Sequence, residues 1–181
     1  GISMHGQPDV LIEALNTDEF DVVMATWNYF DKFNFPKLED ELLPLAEENN
    51  IGLVLMKPIA DGFLWRSSEE AFRYAFSLSV DVVVSGMNKR WMLEQDIDYA
   101  RNFTPMSEDE KKQLFKNAPE LGNYVCRQCD KCYECPVDID IKEIFKLEGY
   151  YDRQMMDGDP RNPEQYALRD RLRFWFGNDE R

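Results

Sequence analysis

Four short apolar runs alternate with amphipathic segments over the first 105 residues. The last three runs are almost continuously hydrophobic, as in strands that are covered on both faces. Strands are therefore predicted at Gly1–Met4, Asp21–Thr26, Ile51–Lys57 and Asp81–Ser85. Helices are predicted at Pro8–Leu15, Leu38–Glu48, Glu69–Leu78 and Trp91–Asn102. Because strand and helix alternate at this spacing, we expect an α/β fold of four parallel βα units.

Four such units form either half of an eight-stranded (β/α)8 TIM barrel or a small open sheet. Polar or unusual residues follow the carboxyl end of each predicted strand, where ligands bind in βα barrels. They are Ser3 and His5, then Trp27 and Asn28, Lys57 and Pro58, and Ser85, Gly86 and Met87. This placement favours the half barrel, although ligands also bind at strand carboxyl ends in open sheets.

The pattern changes after residue 105, so we predict a barrel domain over residues 1–105 and a small helical domain over residues 106–181. Ser107 and Glu110 form a predicted capping box, as do Ser67 and Glu70 ahead of the third helix. Further helices are predicted over Ile141–Tyr150 and residues 163–176.

All four cysteines of the chain lie within the segment CRQCDKCYECP, at Cys126, Cys129, Cys132 and Cys135, followed by Pro136. Thiolates spaced by two residues converge on one metal centre, and this run is close to the bacterial ferredoxin motif. A structural zinc site is the alternative, although such sites usually draw cysteine pairs from separate hairpins. Cys135 either closes the same cluster or binds a second one, and we predict the second arrangement, in which Cys135 joins further cysteines beyond residue 181.

The formal net charge is −14. An acidic surface repels phosphate backbones, so nucleic acid and anionic membranes are not expected as partners. No apolar run is long enough to span a membrane, and clustered thiols suit a reducing compartment, so we predict a cytoplasmic protein. The sequence opens as if cut within a strand, and we expect a fragment that self-associates through exposed strand edges.

The chain resembles the aldo/keto reductase family, in the branch with a C-terminal [4Fe-4S] ferredoxin-like domain. The resemblance rests on the segments GISMHG, VVMATWNYFD, IGLVLMKPIADGFL, DVVVSGM and CRQCDKCYECPVDIDIKEIFKLEGYY. It implies the second half of a TIM barrel followed by a helical iron–sulfur segment. It also implies a cytosolic oxidoreductase with an electron-transfer cluster, an NADP(H) cofactor, a carbonyl or quinone substrate and a redox partner protein.

The resemblance implies that Ser3 contacts the nicotinamide carboxamide and that the loop from Pro58 to Gly62 lies near the cofactor pyrophosphate. Gly86 and Met87 would lie on the adenosine phosphate side. Met24 and Met56 stand where many family members carry glutamine and tyrosine. The family's catalytic Asp, Tyr, Lys and His come from earlier strands, so no catalytic residue is assigned in this chain.

For two of the residues at the carboxyl ends of the strands, which we call the rim, two roles are possible. Asn28 either caps its loop or touches the cofactor, and Lys57 either forms a structural ion pair or contacts a ligand. The alternative function for the whole chain is a non-catalytic barrel. In that case the cysteine segment is a structural metal staple that serves protein interaction.

Overall fold

The computed structural model describes residues 1–5, 8–62, 64, 67–87, 89–121, 132 and 134–145. The chain divides into two compact units, Gly1–Cys129 and Asp130–Arg181. The strands of the first unit are β1 (Ile2–Met4), β2 (Val22–Thr26), β3 (Gly52–Met56) and β4 (Val82–Val84). Its helices are α1 (Pro8–Leu15), α2 (Asp31–Asn34), α3 (Leu43–Glu48), α4 (Ser68–Phe76), α5 (Arg90–Arg101) and α6 (Glu108–Leu121).

The predicted alternation of strands and helices is confirmed, with differences at the boundaries. The predicted second helix is a π-helical segment, Leu38–Leu42, that continues as α3. Two short elements were not predicted: α2 and a 3₁₀ turn at Ala60–Gly62. Both are too short to leave a periodic apolar pattern in the sequence.

The four strands form one parallel sheet in the order β1-β2-β3-β4. Val23, Ala25, Leu53 and Leu55 alternate along β2 and β3 and are buried in a single core with apolar residues of the helices. The helical members of that core are Leu11, Leu15, Leu38, Leu42, Ala46 and Ala75. The helices that contribute them therefore cover one face of the sheet. A doubly wound open sheet carries helices on both faces, so the arrangement is consistent with part of a barrel.

A second core shares helix α4 with the first. It contains Tyr29, Tyr74 and Met106, with Leu114 and Phe115 of α6 packed against it. The rings of Tyr74 and Phe115 meet edge to face at 5.8 Å between centroids. The compact unit therefore extends past residue 105, the predicted domain boundary.

One of the two predicted capping boxes is confirmed. The backbone N–H of Ser107 donates to Glu110 at 2.8 Å, and the N–H of Glu110 donates to Ser107 Oγ at 3.3 Å. The box predicted at Ser67 and Glu70 is wrong, because Ser67 makes no capping hydrogen bond. Its hydroxyl lies 2.8 Å from the Tyr29 hydroxyl, a long-range partner that the local sequence does not show.

Glu110 also joins α6 to α4 through a two-pronged pair with Arg73, at 2.7 and 3.0 Å. Arg73 and the Ser107 bonds lower the pKa of Glu110 from 4.5 to about 2. A carboxyl whose pKa is lowered by folding stabilises the fold at pH values above its unfolded pKa. This contribution is lost as the pH falls through the folded pKa.

We therefore expect the urea midpoint of the full chain to drop between pH 4.5 and pH 2. The drop should be smaller in Glu110→Gln, which cannot titrate. Glu94→Gln is the control, since Glu94 pairs only locally with Arg90 in α5. Equal acid sensitivity of the Glu110 variant and the wild type would contradict the assignment.

Within the second unit, residues 141–145 are helical, where the helix Ile141–Tyr150 was predicted to start. The remainder of that helix and the helix predicted over residues 163–176 lie outside the described residues. In the described part of the chain, no helix has the length and apolar character needed to cross a membrane.

Candidate functional site

The predicted rim lies at the carboxyl edge of the sheet, because all four strands run in the same direction. Asn28 follows β2 and Lys57 follows β3, and the two strands are paired neighbours. The structure brings these residues together, since the Asn28 amide donates to the Lys57 carbonyl oxygen at 3.2 Å. Ser3 lies in β1 on one side of this pair, and Gly86 and Met87 follow β4 on the other.

Asn28 is completely buried and its side chain is fully hydrogen-bonded. Its Oδ1 accepts the backbone N–H groups of Phe30 and Asp31 at 3.1 and 3.0 Å. Its Nδ2 donates to Asp31 Oδ2 at 2.6 Å as well as to the Lys57 carbonyl. These bonds cap the β2–α2 loop and tie it to the end of β3. A direct contact of Asn28 with a cofactor stays a prediction.

Asp31 is the buried carboxyl of this rim, with 8% of its surface exposed. Burial, together with a smaller effect of the nearby Asp61 carboxylate, raises the pKa of Asp31 from 3.8 to about 7. The Asn28 hydrogen bond and the Lys57 charge act in the opposite direction. Carboxyls that titrate near neutrality are common where proton transfer or charge switching occurs.

The loop after β3 has an unusual backbone. Lys57, Ala60 and Asp61 have φ values of 60°, 49° and 57°, and Gly62 has φ 99°. L residues rarely adopt this region, and such strain is concentrated at ligand-binding sites. Lys57 Nζ lies 2.6 Å from Asp61 Oδ2, so Lys57 forms the ion pair that was one of its two expected roles.

Two buried polar atoms at the end of β2 have no hydrogen-bond partner among the described residues. They are Thr26 Oγ1 and Trp27 Nε1. Trp27 packs in the core. Buried polar groups are nearly always satisfied by protein, water or a ligand.

The far side of the rim carries positive charge. Gly86 has open space where a side chain would project, and Met87 is 42% exposed. Lys89 precedes α5 and makes no side-chain cap, so the first N–H groups of this helix lack that partner. Helix N-termini of this kind bind anions.

The structure describes two of the four predicted metal ligands, Cys132 and Cys135. Cys126 and Cys129 lie outside the described residues. Cys132 and Cys135 are both free thiols, and they line one cavity of about 560 Å³. The backbone N–H groups of Val137 and Ile139, hydrogen-bonded to the Cys135 sulfur, hold the pKa of that thiol below its usual value. The described residues contain no group of three or more metal-ligating side chains.

The Cys135 environment fits a metal-bound thiolate. Sulfurs that ligate iron accept backbone N–H bonds, and these bonds favour the charged form. Asp138 has φ 54° and closes the turn with a bond from its N–H to the Cys135 carbonyl at 3.1 Å. The turn that begins at Pro136 therefore directs the following amides back toward the sulfur.

The chain is structurally similar to an aldo-keto reductase from Bacillus halodurans, solved in its holo form, with a TM-score of 0.51 and 19% sequence identity. The fold is aldo-keto reductase-like. The match covers 64% of this chain and 48% of the solved protein, so the chain spans about half the length of that structure. No protein-family profile and no curated protein matches the sequence.

Sequence reasoning missed Asp31 and Asp61 as members of the rim. Asp31 follows three aromatic or polar loop residues, and its motif Asn28-x-x-Asp31 was a readable signal for an Asx cap at the start of a helix. Asp61 left no comparable signal, because its role depends on the left-handed turn that brings it back to Lys57.

Proposed function

We propose that this chain forms part of an oxidoreductase in which a nicotinamide-binding barrel is coupled to a [4Fe-4S] electron-transfer site. The observation that carries the proposal is the pair of thiols, Cys132 and Cys135, on one cavity, within a motif spaced for iron–sulfur ligation. The aldo-keto reductase-like fold of the first unit supports the barrel half of the proposal. A reducing, cytoplasmic location agrees with free thiols.

Cys126, Cys129, Cys132 and Cys135 would hold the cluster, which supplies one-electron transfer when bound. The shared cavity favours the alternative in which Cys135 closes the same cluster, rather than binding a second one. The N–H groups of Val137 and Ile139 stabilise the Cys135 thiolate, and hydrogen bonds of this kind tune the potential of iron–sulfur centres.

The two ends of the rim differ in how well their charges suit an anionic nicotinamide cofactor. Lys89, exposed at the start of α5, suits the additional phosphate of NADP(H), whereas the charge of Arg90 is paired with Glu94. The loop from Pro58 to Gly62 offers a strained backbone, but the charges of Lys57 and Asp61 cancel there. Cofactor binding is therefore expected to depend more on the β4–α5 end than on this loop.

A carbonyl or quinone substrate and a redox partner protein are part of the proposal. No residue of the chain matches the catalytic tetrad of the resembled family, so substrate chemistry is not assigned to side chains within it. The chain's own contribution is to bind and orient the cofactor and to hold the cluster.

The test is reconstitution of the full chain with iron and sulfide, followed by visible spectroscopy and metal analysis. We expect a broad absorption band at about 400 nm that bleaches with dithionite. A colourless protein that retains zinc would contradict the redox proposal and favour the structural staple.

Cysteine variants then test the ligand set. Cys129→Ala and Cys135→Ala should both lose most of the bound iron, because each removes a thiolate of the same cluster. Asp140→Asn is the matched control, since it lies on the same cavity and retains an oxygen for the cap of the Glu143 N–H. If Cys135→Ala keeps its iron while Cys129→Ala loses it, Cys135 belongs to a second cluster.

A further inference from the structure

The buried carboxyl of Asp31 and the ion pair of Lys57 with Asp61 lie next to each other at the rim. One nitrogen connects them, because Asn28 Nδ2 donates to Asp31 Oδ2 at 2.6 Å and to the Lys57 carbonyl at 3.2 Å. Lys57 Nζ in turn lies 2.6 Å from Asp61 Oδ2. Among the described residues, Asp61 and Lys57 are the charged groups that act on Asp31. Three titratable groups from two neighbouring segments therefore form one cluster.

The two carboxyls of this cluster differ in their access to water. Asp31 keeps 8% of its surface exposed, whereas the side chain of Asp61 is 35% exposed. A buried carboxylate depends on a nearby cation, because water does not solvate it, and the attraction between opposite charges is stronger at a buried site. Water hydrates Asp61 instead. An ionised Asp31 therefore gains more from the Lys57 ammonium than Asp61 loses.

The net charge of the cluster depends on one proton. While Asp31 is protonated, the charges of Lys57 and Asp61 balance each other. Loss of the proton leaves two carboxylates and one ammonium. Lysine is suited to a change of partner, since its ammonium is a compact charge on a flexible four-carbon stem. Lys32, which follows Asp31 in the chain, is already paired with Glu39, so Lys57 is the cation that responds.

We propose that Lys57 exchanges carboxylate partners, from Asp61 to Asp31, when Asp31 loses its proton, and that this exchange loosens the loop from Lys57 to Gly62. The ion pair with Asp61 spans this loop, in which Lys57, Ala60 and Asp61 have positive φ values. Backbone conformations of this kind persist only where the surrounding contacts hold them. The exchange removes one of those contacts and leaves the hydrogen bonds of the turn, such as the one from the Ala60 N–H to the Lys57 carbonyl at 2.9 Å.

The exchange makes this part of the rim sensitive to pH near neutrality. Burial raises the pKa of Asp31 to about 7, so the ion pair with Asp61 holds the loop below that pH. Above it Asp31 is ionised, and the loop opens more often. The inference goes beyond the proposed function, and it requires neither a bound cofactor nor an iron–sulfur cluster.

Hydrogen exchange of the full chain between pH 5 and pH 8, corrected for the intrinsic exchange rate at each pH, tests the loosening of the loop. We expect the protection of the amides in the loop from Lys57 to Gly62 to fall roughly fivefold over this range, as for the loss of one partly exposed ion pair. The amides of β2 and β3 are the internal reference, because they exchange only through larger openings. Equal losses of protection in the loop and in both strands would overturn the proposal, since the opening would then be global.

Two variants separate the proton from the ammonium. Asp31→Asn keeps the neutral state, so its loop should stay protected from pH 5 to pH 8. Lys57→Gln has no ammonium to exchange, and its loop should be loosened to a similar degree at every pH. Lys37→Gln is the matched control and should respond like the wild type, since Lys37 pairs with Asp9 away from the rim. A wild-type response to pH in either rim variant would overturn the proposal.

Side-chain NMR of the wild type gives a second readout that needs no variant. The signal of Lys57 Nζ should shift with the same midpoint as the carboxyl carbon of Asp31, at about pH 7, because Lys57 changes partner as Asp31 ionises. A Lys57 signal that stays constant while Asp31 titrates would show that the ion pair with Asp61 persists. That result would overturn the proposal, as would an Asp31 carboxyl that does not titrate near neutral pH.

Discussion

Replacing Asn28 with alanine is expected to lower the free energy of unfolding by about 2–4 kcal/mol, because the change leaves several buried polar groups without partners. The orphaned groups are the N–H groups of Phe30 and Asp31 and the Asp31 carboxyl, whereas the Lys57 carbonyl keeps its bond from the Ala60 N–H at 2.9 Å. Urea unfolding at a fixed protein concentration measures the effect.

Asn49→Ala is the matched control. Its amide makes one exposed hydrogen bond, to the Leu45 carbonyl at 2.8 Å, so its loss should cost less than about 1 kcal/mol. If the two alanine variants are equally stable, the bonds around Asn28 do not hold the two loops together.

Asp31 should give the protein a pH-dependent stability close to neutrality. Its pKa is raised on folding from 3.8 to about 7, so the folded state holds a proton that the unfolded state releases. The stability due to this proton is full below pH 3.8 and is lost as the pH rises to about 7. Over that range the slope should approach about 1.4 kcal/mol per pH unit at most.

Urea unfolding between pH 5 and pH 8, run on the wild type and on Asp31→Asn, isolates this contribution. The amide is close in shape, keeps an oxygen for the Asn28 bond and does not titrate. We expect the slope in the wild type and little of it in the variant. The charged groups that face Asp31 are Asp61 and Lys57, so Asp61→Asn should shift the transition to lower pH. Parallel pH profiles for the wild type and Asp31→Asn would contradict a raised pKa.

The two expectations concern one structural feature. The hydrogen bonds of Asn28 connect the β2–α2 loop to the residue that follows β3, and the Asp31 carboxyl is buried beside them. A ligand bound at the carboxyl ends of β2 and β3 would lie next to the loop from Lys57 to Gly62, which is hydrogen-bonded to Asn28. The protonation state of Asp31 therefore bears on the stability of the region proposed to receive the cofactor.

The chain's own sequence determined the elements that have a strong local signal. The runs DVVMAT and IGLVLMK predict buried strands because their hydrophobic residues are continuous, and β2 and β3 lie there. The spacing of Ser107 and Glu110 predicted a capping box because both bonds form within a single turn. The cysteine spacing predicts a metal site because four thiols lie within ten residues, and this stays a prediction.

Only the tertiary structure shows the helix placement that is consistent with part of a barrel. Each amphipathic helix buries one stripe, but its sequence does not say on which face of the sheet that stripe lies. The joint burial of Leu11, Leu42 and Ala75 with Val23 and Leu55 shows that the helices share one face. The partners of Asn28, Asp31 and Ser67 also depend on chain segments that meet only after folding. Ser67, for example, lies beside Tyr29, 38 positions away, and so does not act as a local cap.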